Sequence, residues 1–416
     1  MLRTARGIGL ALVLTPSILV NPAQGQEPGS ATRNLQVESR TTAEVLSTLG
    51  ELTAVALDQS PDRNYAYVGG HHGWAVIDIS DPGAPRLRHS SPTDGPVSDL
   101  THFQLDEKTF AAVATDGRIE VFDVTDLTDD RAPASVGSTP GGTMASVFAY
   151  RHSSGATLLI VTAGGDAVLY DAASVVTGHP VAVGSIPTPP QPDPELHGYD
   201  RAYAAYHAAT ETDRFYGAGA GGYHVFDITH PDSAVYITSA MPAAVRRGHM
   251  VSATPDGQYL LAGAEYRAAP LRIFNLQPAL DGSLPVIRTS DGAWTDDWTS
   301  FLIAHEIRWP FVFVASGEQG LQIFDMRDPE NPFTYGYLRT SSAATGSIDD
   351  HFTDVNGAVD VDVRNSDGLI AVVDRQTGLW LVRLEAFQGW DGRGYGMPNI
   401  SSVQHWMDGP DGTTSF

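Results

Sequence analysis

Four side chains in the sequence have the chemistry of a proton-transfer site. They are His102, Tyr206, His207 and Arg247. An imidazole can act as general base, a phenol can donate a proton as general acid, and a guanidinium can neutralise a carboxylate. With His207 or His102 as base, Tyr206 as acid and Arg247 at the carboxylate, the set could remove the proton beside a uronate carboxylate. That is the chemistry of a polysaccharide lyase.

Three histidine and tyrosine residues share one spacing. His102, Tyr150 and His207 each stand 8 residues before the apolar start of the following strand-like run. Equal spacing before equivalent strands predicts one common register for the three side chains. Because side-chain direction in a strand has a period of two, His249 and His305, which are two positions off that spacing, keep the same parity.

The elements that must position these residues come from a repeated phrase, clearest in GLQIFDMRDPENP at 320–332. An apolar run ends at an anchor residue, and a turn rich in Pro, Asp or Asn follows. The anchors recur at intervals of 45 to 58 residues: Asp78, Asp123, Asp171, Asp227, Asn275, Asp325 and Arg383. An Asp at the anchor can accept backbone N–H groups of the turn, and Pro fixes φ there.

Each unit contains four short strand-like runs, and the middle runs are apolar at nearly every position. Strands have this composition when both faces of the sheet are covered. Seven such units predict an all-β fold, a seven-bladed β-propeller. The last unit supplies three strands, so we expect closure by an N-terminal strand over 43–50. An open solenoid is the alternative, but the sequence has no separate capping element.

In a propeller, the first strand of each blade borders a central channel. We therefore expect Tyr150, His152, His249 and His305 to line that channel or to contact a substrate there. Three interpretations of these side chains stay open: ligands of a transition metal, parts of a carbohydrate-active site, or polar groups satisfied by channel water. The sequence identifies neither a cofactor nor a particular metal.

A family resemblance rests on three of the repeated phrases. GLQIFDMRDPENP, AVIDISDPGAP and HVFDITHPDS resemble the LVIVD-repeat family of secreted β-propeller proteins. The resemblance extends over roughly residues 50–385 and is most specific at the D-x-x-[DH]-P turns of these units. It implies a propeller architecture and export. The family has no agreed reaction, so the resemblance transfers no catalytic role to any residue.

The N-terminus has the order of a secretory signal peptide. Arg3 and Arg6 precede an apolar stretch at 8–20, and small residues flank Gln24. The stretch is short for a spanning helix and is interrupted by Pro16. An uncleaved membrane anchor is the alternative. We expect a secreted protein, periplasmic or extracellular, without stable membrane insertion.

Composition excludes several classes of function. The chain has 416 residues, no cysteine and a formal net charge of −24. Disulfides, thiolate catalysis and cysteine-based metal sites are thereby excluded. The negative field repels nucleic-acid phosphate and anionic membrane surfaces, so neither is an expected partner. The same field disfavours polyanionic substrates.

These observations predict the organisation of the chain. We expect a signal peptide over 1–25, a flexible segment over 26–42, a propeller over 43–385, and a tail over 386–416 that packs on the propeller or extends from it. The predicted function is a binding or surface-organising module for a glycan or an extracellular protein. A polysaccharide lyase is the first alternative, and a metal-binding propeller is the second.

Three tryptophans lie in or near an insertion at 281–299 that is expected to reach over one face of the disc. They are Trp294, Trp298 and Trp309. Exposed aromatic rings there would suit stacking against sugars, whereas core packing is the expectation for Trp309.

Overall fold

The structure is a computed structural model that describes residues 32–60, 62–128, 131–143, 145–193, 195–243, 245–264, 266–342 and 356–398. The signal peptide predicted over 1–25 lies outside these residues. The regular secondary structure of the described chain is almost entirely β-strand, with two short α-helices and a few 3-10 turns. No helix in it is long and apolar enough to cross a membrane.

The strands form seven sheets, one for each blade. Two N-terminal strands, β1 (Thr32–Arg33) and β2 (Leu35–Thr41), belong to the last two blades. Blade 1 contains β3 (Leu52–Leu57), β4 (Tyr65–Gly70), β5 (Gly73–Asp78) and β6 (Arg86–Pro92). Blade 2 contains β7 (Val97–Leu105), β8 (Lys108–Thr115), β9 (Arg118–Asp123) and β10 (Ala134–Pro140).

The next two blades follow the same antiparallel order from the axis outward. Blade 3 contains β11 (Ser146–Arg151), β12 (Thr157–Thr162), β13 (Ala167–Asp171), the helix α1 (Ala172–Val176) and β14 (Ala182–Ile186). Blade 4 contains β15 (Tyr199–His207), β16 (Thr212–Gly219), β17 (Gly222–Asp227) and β18 (Val235–Ala240).

The last three blades contain the additions to the pattern. Blade 5 contains β19 (Met250–Ala253), β20 (Tyr259–Gly263), β21 (Leu271–Asn275) and β23 (Gly292–Trp294). Between β21 and β23 the chain forms the helix α2 (Gln277–Leu280) and the short strand β22 (Val286–Ile287). Of these, β22 pairs with β18 of blade 4. Blade 6 contains β24 (Ala304–Arg308), β25 (Phe311–Ala315), β26 (Leu321–Asp325) and β27 (Phe333–Leu338), with β1 at its edge. Blade 7 contains β28 (Ala358–Val363), β29 (Leu369–Asp374) and β30 (Gly378–Leu384).

The outermost strand of blade 7 is β2, which pairs antiparallel with β30. The sequence analysis predicts the N-terminal closing strand at 43–50, and that prediction is wrong. Residues 43–46 form turns and Ser47–Leu49 forms a 3-10 helix, because Leu46 and Leu49, three residues apart, are both buried against blade 1 and its neighbour. Residues 32–41, expected to belong to a flexible segment, instead contain β1 and β2.

The inner strands form a closed ring. Each contacts the next around the axis in the order β3, β7, β11, β15, β19, β24 and β28, and β28 in turn contacts β3. In an open array the first and last units would lie apart. The solenoid alternative is therefore wrong, and the seven-bladed propeller is confirmed. We call the side on which connections enter the inner strands the upper face, and the opposite side the lower face.

The seven anchors occupy one position of the blade. Each pairs with a residue at or near the start of the second strand: Asp78 with Tyr65, Asp123 with Phe110, Asp171 with Leu158, Asp227 with Arg214, Asn275 with Tyr259, Asp325 with Phe311 and Arg383 with Leu369. Six anchors accept a backbone N–H from two residues further along, at 2.8 to 3.3 Å. The predicted role of the anchor is confirmed. The exception is Arg383, which forms ion pairs with Asp367 and Glu38.

The hydrophobic core lies between the blades. The second strands β25 and β29 are buried at every position, as their uninterrupted apolar composition predicts. One cluster joins blades 1 and 7 through Leu57, Ile77, Val373 and Leu381. Part of the predicted tail also packs: the Phe387 ring lies 5.6 Å from that of Phe313, on the lower side of blades 6 and 7.

Candidate functional site

The inner strands enclose a cavity on the axis with a volume of about 130 Å³. Three successive positions of these strands form most of its wall, and His102 and Ala149 line it one position further along their strands. The upper row contains Asp99, Ser146, Arg201, Met250, Ala304 and Asp360. The middle row contains Val55, Leu100, Val147, Ala202, Val251, His305 and Val361. The lower row contains Ala56, Thr101, Phe148, Tyr203, Ser252, Glu306 and Asp362.

The upper row contains an ion pair and a second carboxylate. Arg201 of blade 4 lies 3.4 Å from Asp99 of blade 2, which also accepts the N–H of Val147 at 3.0 Å. Asp360 accepts the N–H of Val55 in the next blade at 2.8 Å. Burial raises the pKa of Asp360 to about 7, against the opposing effect of Arg201. The two carboxylates therefore bridge neighbouring inner strands across their unpaired edges.

The lower row is held by a buried guanidinium just beneath it. Arg308 is fully buried and lies 3.0 Å from Glu306 and 3.7 Å from Asp362, while its Nε donates to Asn365 at 2.6 Å. Asp362 accepts the N–H of Leu57 at 2.6 Å. Burial, reinforced by the neighbouring Glu306, raises the pKa of Asp362 above its usual range.

A wider pocket of about 280 Å³ forms the mouth of the channel on the upper face. Its lining is polar apart from Ala145 and Gly164: Ser98, Thr143, Ala145, Ser146, Gly164, Asp200, Arg201, Arg247 and His249. Arg247 donates from Nε to both oxygens of Asp200 at 2.8 Å, and its Nη2 also binds that carboxylate. Because Ser146 and Arg201 line both spaces, the mouth adjoins the axial cavity.

The residues predicted to be catalytic lie in separate places. The Nε2 atom of His102 accepts the N–H of Gln59 at 3.1 Å, and its ring stacks on Tyr67 of blade 1. His207 hydrogen-bonds the hydroxyl of Tyr216 at 2.7 Å within its own blade. Burial lowers the pKa of His207 to about 3, so its imidazole is neutral in the folded protein.

Arg247 lies at the opposite end of the strand from Tyr206 and His207. Its carboxylate partner, Asp200, stands near the start of β15, whereas the pair Tyr206–His207 ends that strand. At a rise of about 3.3 Å per residue, this separation is roughly 20 Å. The structure therefore does not bring the base, the acid and the guanidinium to one sugar residue.

The residues predicted to line the channel divide into two groups. His305 lines the axial cavity and His249 lines its mouth. Tyr150 and His152 instead point into the interface with blade 4, where the Tyr150 hydroxyl donates to Asp213 and His152 lies 3.3 Å from the same carboxylate. Burial lowers the pKa of both His249 and His305 to about 3.

The predicted common register of His102, Tyr150 and His207 is wrong. The residues opposite the anchors' partners on the inner strands are Phe103, Tyr150 and Ala205. His102 thus stands one position before the reference, Tyr150 on it and His207 two positions after it. Counting back from the next apolar residue fails because the connections β7–β8, β11–β12 and β15–β16 differ in length.

Sequence reasoning missed the charged residues of the axial cavity. Asp360 and Asp362 alternate with valine in AVDVDV, the sequence of the inner strand β28. The alternation of Asp with Val could have indicated these residues, because carboxylates buried in a strand require specific partners. No local pattern pairs Asp99 with Arg201, which come from blades separated by blade 3.

Metal coordination finds no support in the described residues. Among them, no group of three or more His, Asp or Glu side chains is placed to hold a metal ion. The four imidazoles stand at four different levels of the inner strands: His102 and His305 both line the axial cavity but two positions apart in level, His249 lines the mouth, and His207 bonds Tyr216 within its own blade.

Comparison with known proteins identifies one part of the chain. The family model of the LVIVD repeat matches residues 62–93, which contain β4, β5 and β6 of blade 1. The resemblance to this family is confirmed over that segment. No curated protein matches the chain.

Proposed function

We propose that this propeller is exported and binds a glycan at the channel mouth on its upper face. The observation that carries the proposal is the composition of the mouth pocket: the hydroxyls of Ser98 and Thr143 stand with the Asp200–Arg247 pair around about 280 Å³. Sugar hydroxyls both donate and accept hydrogen bonds, so a wall that offers both kinds of partner suits them. The volume fits a ligand of about one sugar ring better than a folded protein surface.

An exposed indole on the same face supports a carbohydrate ligand. Of the three tryptophans near the insertion, Trp294 and Trp309 are buried, whereas Trp298 is 61% exposed. Trp298 lies in the connection from β23 to β24, which runs over the upper face. Apolar faces of sugar rings stack on aromatic rings, and an indole exposed to this degree contributes little to packing.

Charge narrows the class of glycan. With a formal net charge of −24, the protein repels polyanionic chains, so neutral or amino-containing glycans are the expected ligands. The lyase alternative requires a uronate and a shared base, acid and guanidinium. The distance of roughly 20 Å between the ends of β15 argues against it.

Export rests on the N-terminal sequence. The signal peptide expected over 1–25 lies outside the described residues, and the LVIVD resemblance is with secreted propellers. Periplasmic or extracellular location is tested by expressing the full chain in a bacterial host and measuring the intact mass of the mature protein. Export predicts loss of about 25 residues, whereas an uncut chain in the membrane fraction would support the anchor alternative.

Glycan binding is tested on an array of neutral, amino-containing and acidic glycans, followed by titration calorimetry with the best ligand. Trp298→Ala is expected to weaken binding about five- to tenfold through loss of stacking. Phe333→Ala is the matched control, because Phe333 is 56% exposed on the outer strand β27. Absence of binding to any glycan would contradict the proposal, and binding confined to polyuronates would favour the lyase alternative.

A further inference from the structure

Trp298 is held in an exposed position on the upper face by an ordered turn. Its side chain occupies the second position of a reverse turn in which the N–H of Ser300 donates to the carbonyl of Asp297 at 3.1 Å. The carboxylate of Asp297 accepts both the N–H and the hydroxyl of Thr299, at 2.7 and 2.6 Å. The indole is therefore fixed in place before any ligand arrives, which lowers the entropy lost on binding.

A buried arginine joins this turn to the loop that contains Tyr266. Tyr266 is 36% exposed and lies in the connection from β20 to β21, also on the upper face. The next residue, Arg267, is buried, pairs with Glu318 at 2.7 Å and donates to the carbonyl of Thr299 at 2.6 Å. Tyr266 and Trp298 are thus the chain neighbours of two residues that are hydrogen-bonded to each other. We call these two exposed rings the aromatic shelf.

The aromatic shelf lies within reach of the channel mouth. The imidazole of His249, which lines the mouth, is hydrogen-bonded to the backbone of Ile303. Trp298 precedes Ile303 by five residues, so even a fully extended chain places the two at most about 18 Å apart. One sugar unit in the mouth and another stacked on Trp298 can therefore belong to a single oligosaccharide.

The mouth has room for one sugar unit, and the axial cavity below it has room for none. A cavity of about 150 Å³ holds a benzene molecule, and a hexose unit has about twice as many non-hydrogen atoms. The mouth, at about 280 Å³, fits one such unit, whereas the axial cavity, at about 130 Å³, is too small. A glycan chain therefore does not continue down the axis but leaves the mouth across the upper face. Among the described residues, the exposed aromatic side chains of that face are those of the aromatic shelf, on one side of the mouth.

We propose that the protein recognises the end of a neutral glycan chain, with the terminal unit in the mouth and a later unit stacked on the aromatic shelf. This inference rests on the proposed glycan binding and adds to it the part of the glycan that is bound. The closed lower side of the mouth and the position of the shelf on one side select a chain end, because the interior of a chain would need a second path away from the mouth.

Chain length distinguishes this binding mode from recognition of a single sugar. The probes are the monomer, trimer, hexamer and long polymer of α-1,4-glucan, β-1,4-glucan and β-1,4-linked N-acetylglucosamine, titrated by calorimetry against the mature chain. In the series that binds, we expect affinity to rise about five- to tenfold from monomer to hexamer, and the number of proteins bound per chain to stay constant up to the polymer. Equal affinity for monomer and hexamer, or a number of bound proteins that grows with polymer length, would overturn this inference and leave glycan binding intact. Absence of binding in all three series would also overturn it, whereas glycan binding itself is decided by the array.

Variants assign the units of the chain to the two parts of the surface. Trp298→Ala is expected to lower affinity for the hexamer about five- to tenfold and to leave affinity for the monomer unchanged. Arg247→Gln, in the mouth, should weaken binding of both by a similar factor. Phe333→Ala is the control and should change neither, because Phe333 is exposed on the outer strand β27. An equal loss for monomer and hexamer in Trp298→Ala, or no loss for the hexamer, would overturn the proposal. Circular dichroism verifies that each variant is folded, and Trp298→Ala removes an exposed side chain that the core does not need.

Discussion

The outer turns of the blades are nearly alike, whereas the upper and lower rows at the axis combine unlike side chains. Six of the seven anchors are Asp or Asn and make the same hydrogen bond to the turn that follows. At one level of the axis, equivalent positions instead contain Asp99, Ser146, Arg201, Met250, Ala304 and Asp360. Because the hydrogen bond from the turn to the anchor recurs in almost every blade, we assign it to the formation of the blade itself. Side chains that differ at equivalent positions are not needed for that purpose, so the axis is where the individual chemistry of this chain lies.

The two regions also differ in how their charges are compensated. An anchor carboxylate receives N–H groups from its own turn, within two or three residues, and most anchors are partly exposed. Carboxylates at the axis are compensated by groups of other blades. Asp362, for example, accepts the N–H of Leu57 and forms an ion pair with Arg308. Axial charges are therefore more costly to disturb, because their partners are fixed by the whole ring and water cannot replace them freely.

The largest expected effect comes from removing the buried cation at the axis. Arg308→Ala leaves Glu306 and Asp362 without their guanidinium, and we expect the free energy of unfolding to fall by about 3–5 kcal/mol. Urea unfolding measures this difference. Arg327→Ala is the control in an outer turn, where the guanidinium is 62% exposed and pairs with Asp325, and a loss below about 1 kcal/mol is expected. Equal losses in the two variants would remove the distinction between the regions.

A pH-dependent effect at Asp360 is expected to be somewhat smaller. An unfolded Asp has a pKa of about 3.9, while that of folded Asp360 is about 7. Between these values the folded state keeps a proton that the unfolded state has lost, so stability falls as pH rises from about 4 to 7 and stays low above it. We expect this group to cost about 2–3 kcal/mol over that range, allowing for water in the channel.

Asp360→Asn removes the pH-dependent contribution of this carboxyl group to stability, because an amide does not titrate. Unfolding free energies of the wild type and the variant, measured between pH 4 and pH 8, should differ by an amount that changes steadily with pH in favour of the variant. Asp94→Asn, which alters an exposed carboxylate, should leave the wild-type pH profile unchanged. A constant difference between wild type and Asp360→Asn would show that this carboxyl group titrates normally.

The contrast between the regions also explains what the sequence could predict. The anchors and their turns are local, since each bond spans two or three residues, and the sequence therefore predicts seven units and their sheet positions correctly. The closing strand is different. Leu35 pairs with Leu384, almost the whole chain away, and local composition could not choose between 35–41 and 43–50. The leucines at 46 and 49, three residues apart, were the signal for a helical turn.

Residues at the axis were harder to predict, for a related reason. The height of an inner-strand residue along the axis depends on the length of the connection to the next strand. Counting residues from His102 or His207 to that strand therefore predicted the wrong height. The pair Asp99–Arg201 spans blade 3, which contributes Ser146 at the same level of the axis. Such pairs follow from closure of the ring rather than from any segment of the sequence.

The smallest expected effect concerns the contribution of an anchor residue in an outer turn to the free energy of unfolding. Asp325 is buried and accepts the N–H of Arg327 at 2.9 Å. Asp325→Ala removes that acceptor, and we expect a loss of about 1–2 kcal/mol in urea unfolding. Asp325→Asn should cost less than about 0.5 kcal/mol, because an amide oxygen can accept the same bond, as Asn275 does from Gln277 in blade 5.

The comparison between these two variants separates the acceptor from the charge. The ion pair of Asp325 with the exposed Arg327 contributes little, so the oxygen atom should account for nearly all of the anchor's effect. Equal losses in the alanine and asparagine variants would mean that the turn needs a full negative charge. In that case Asn275 would mark blade 5 as the weakest of the ring, and the outer turns would be as electrostatically demanding as the axis.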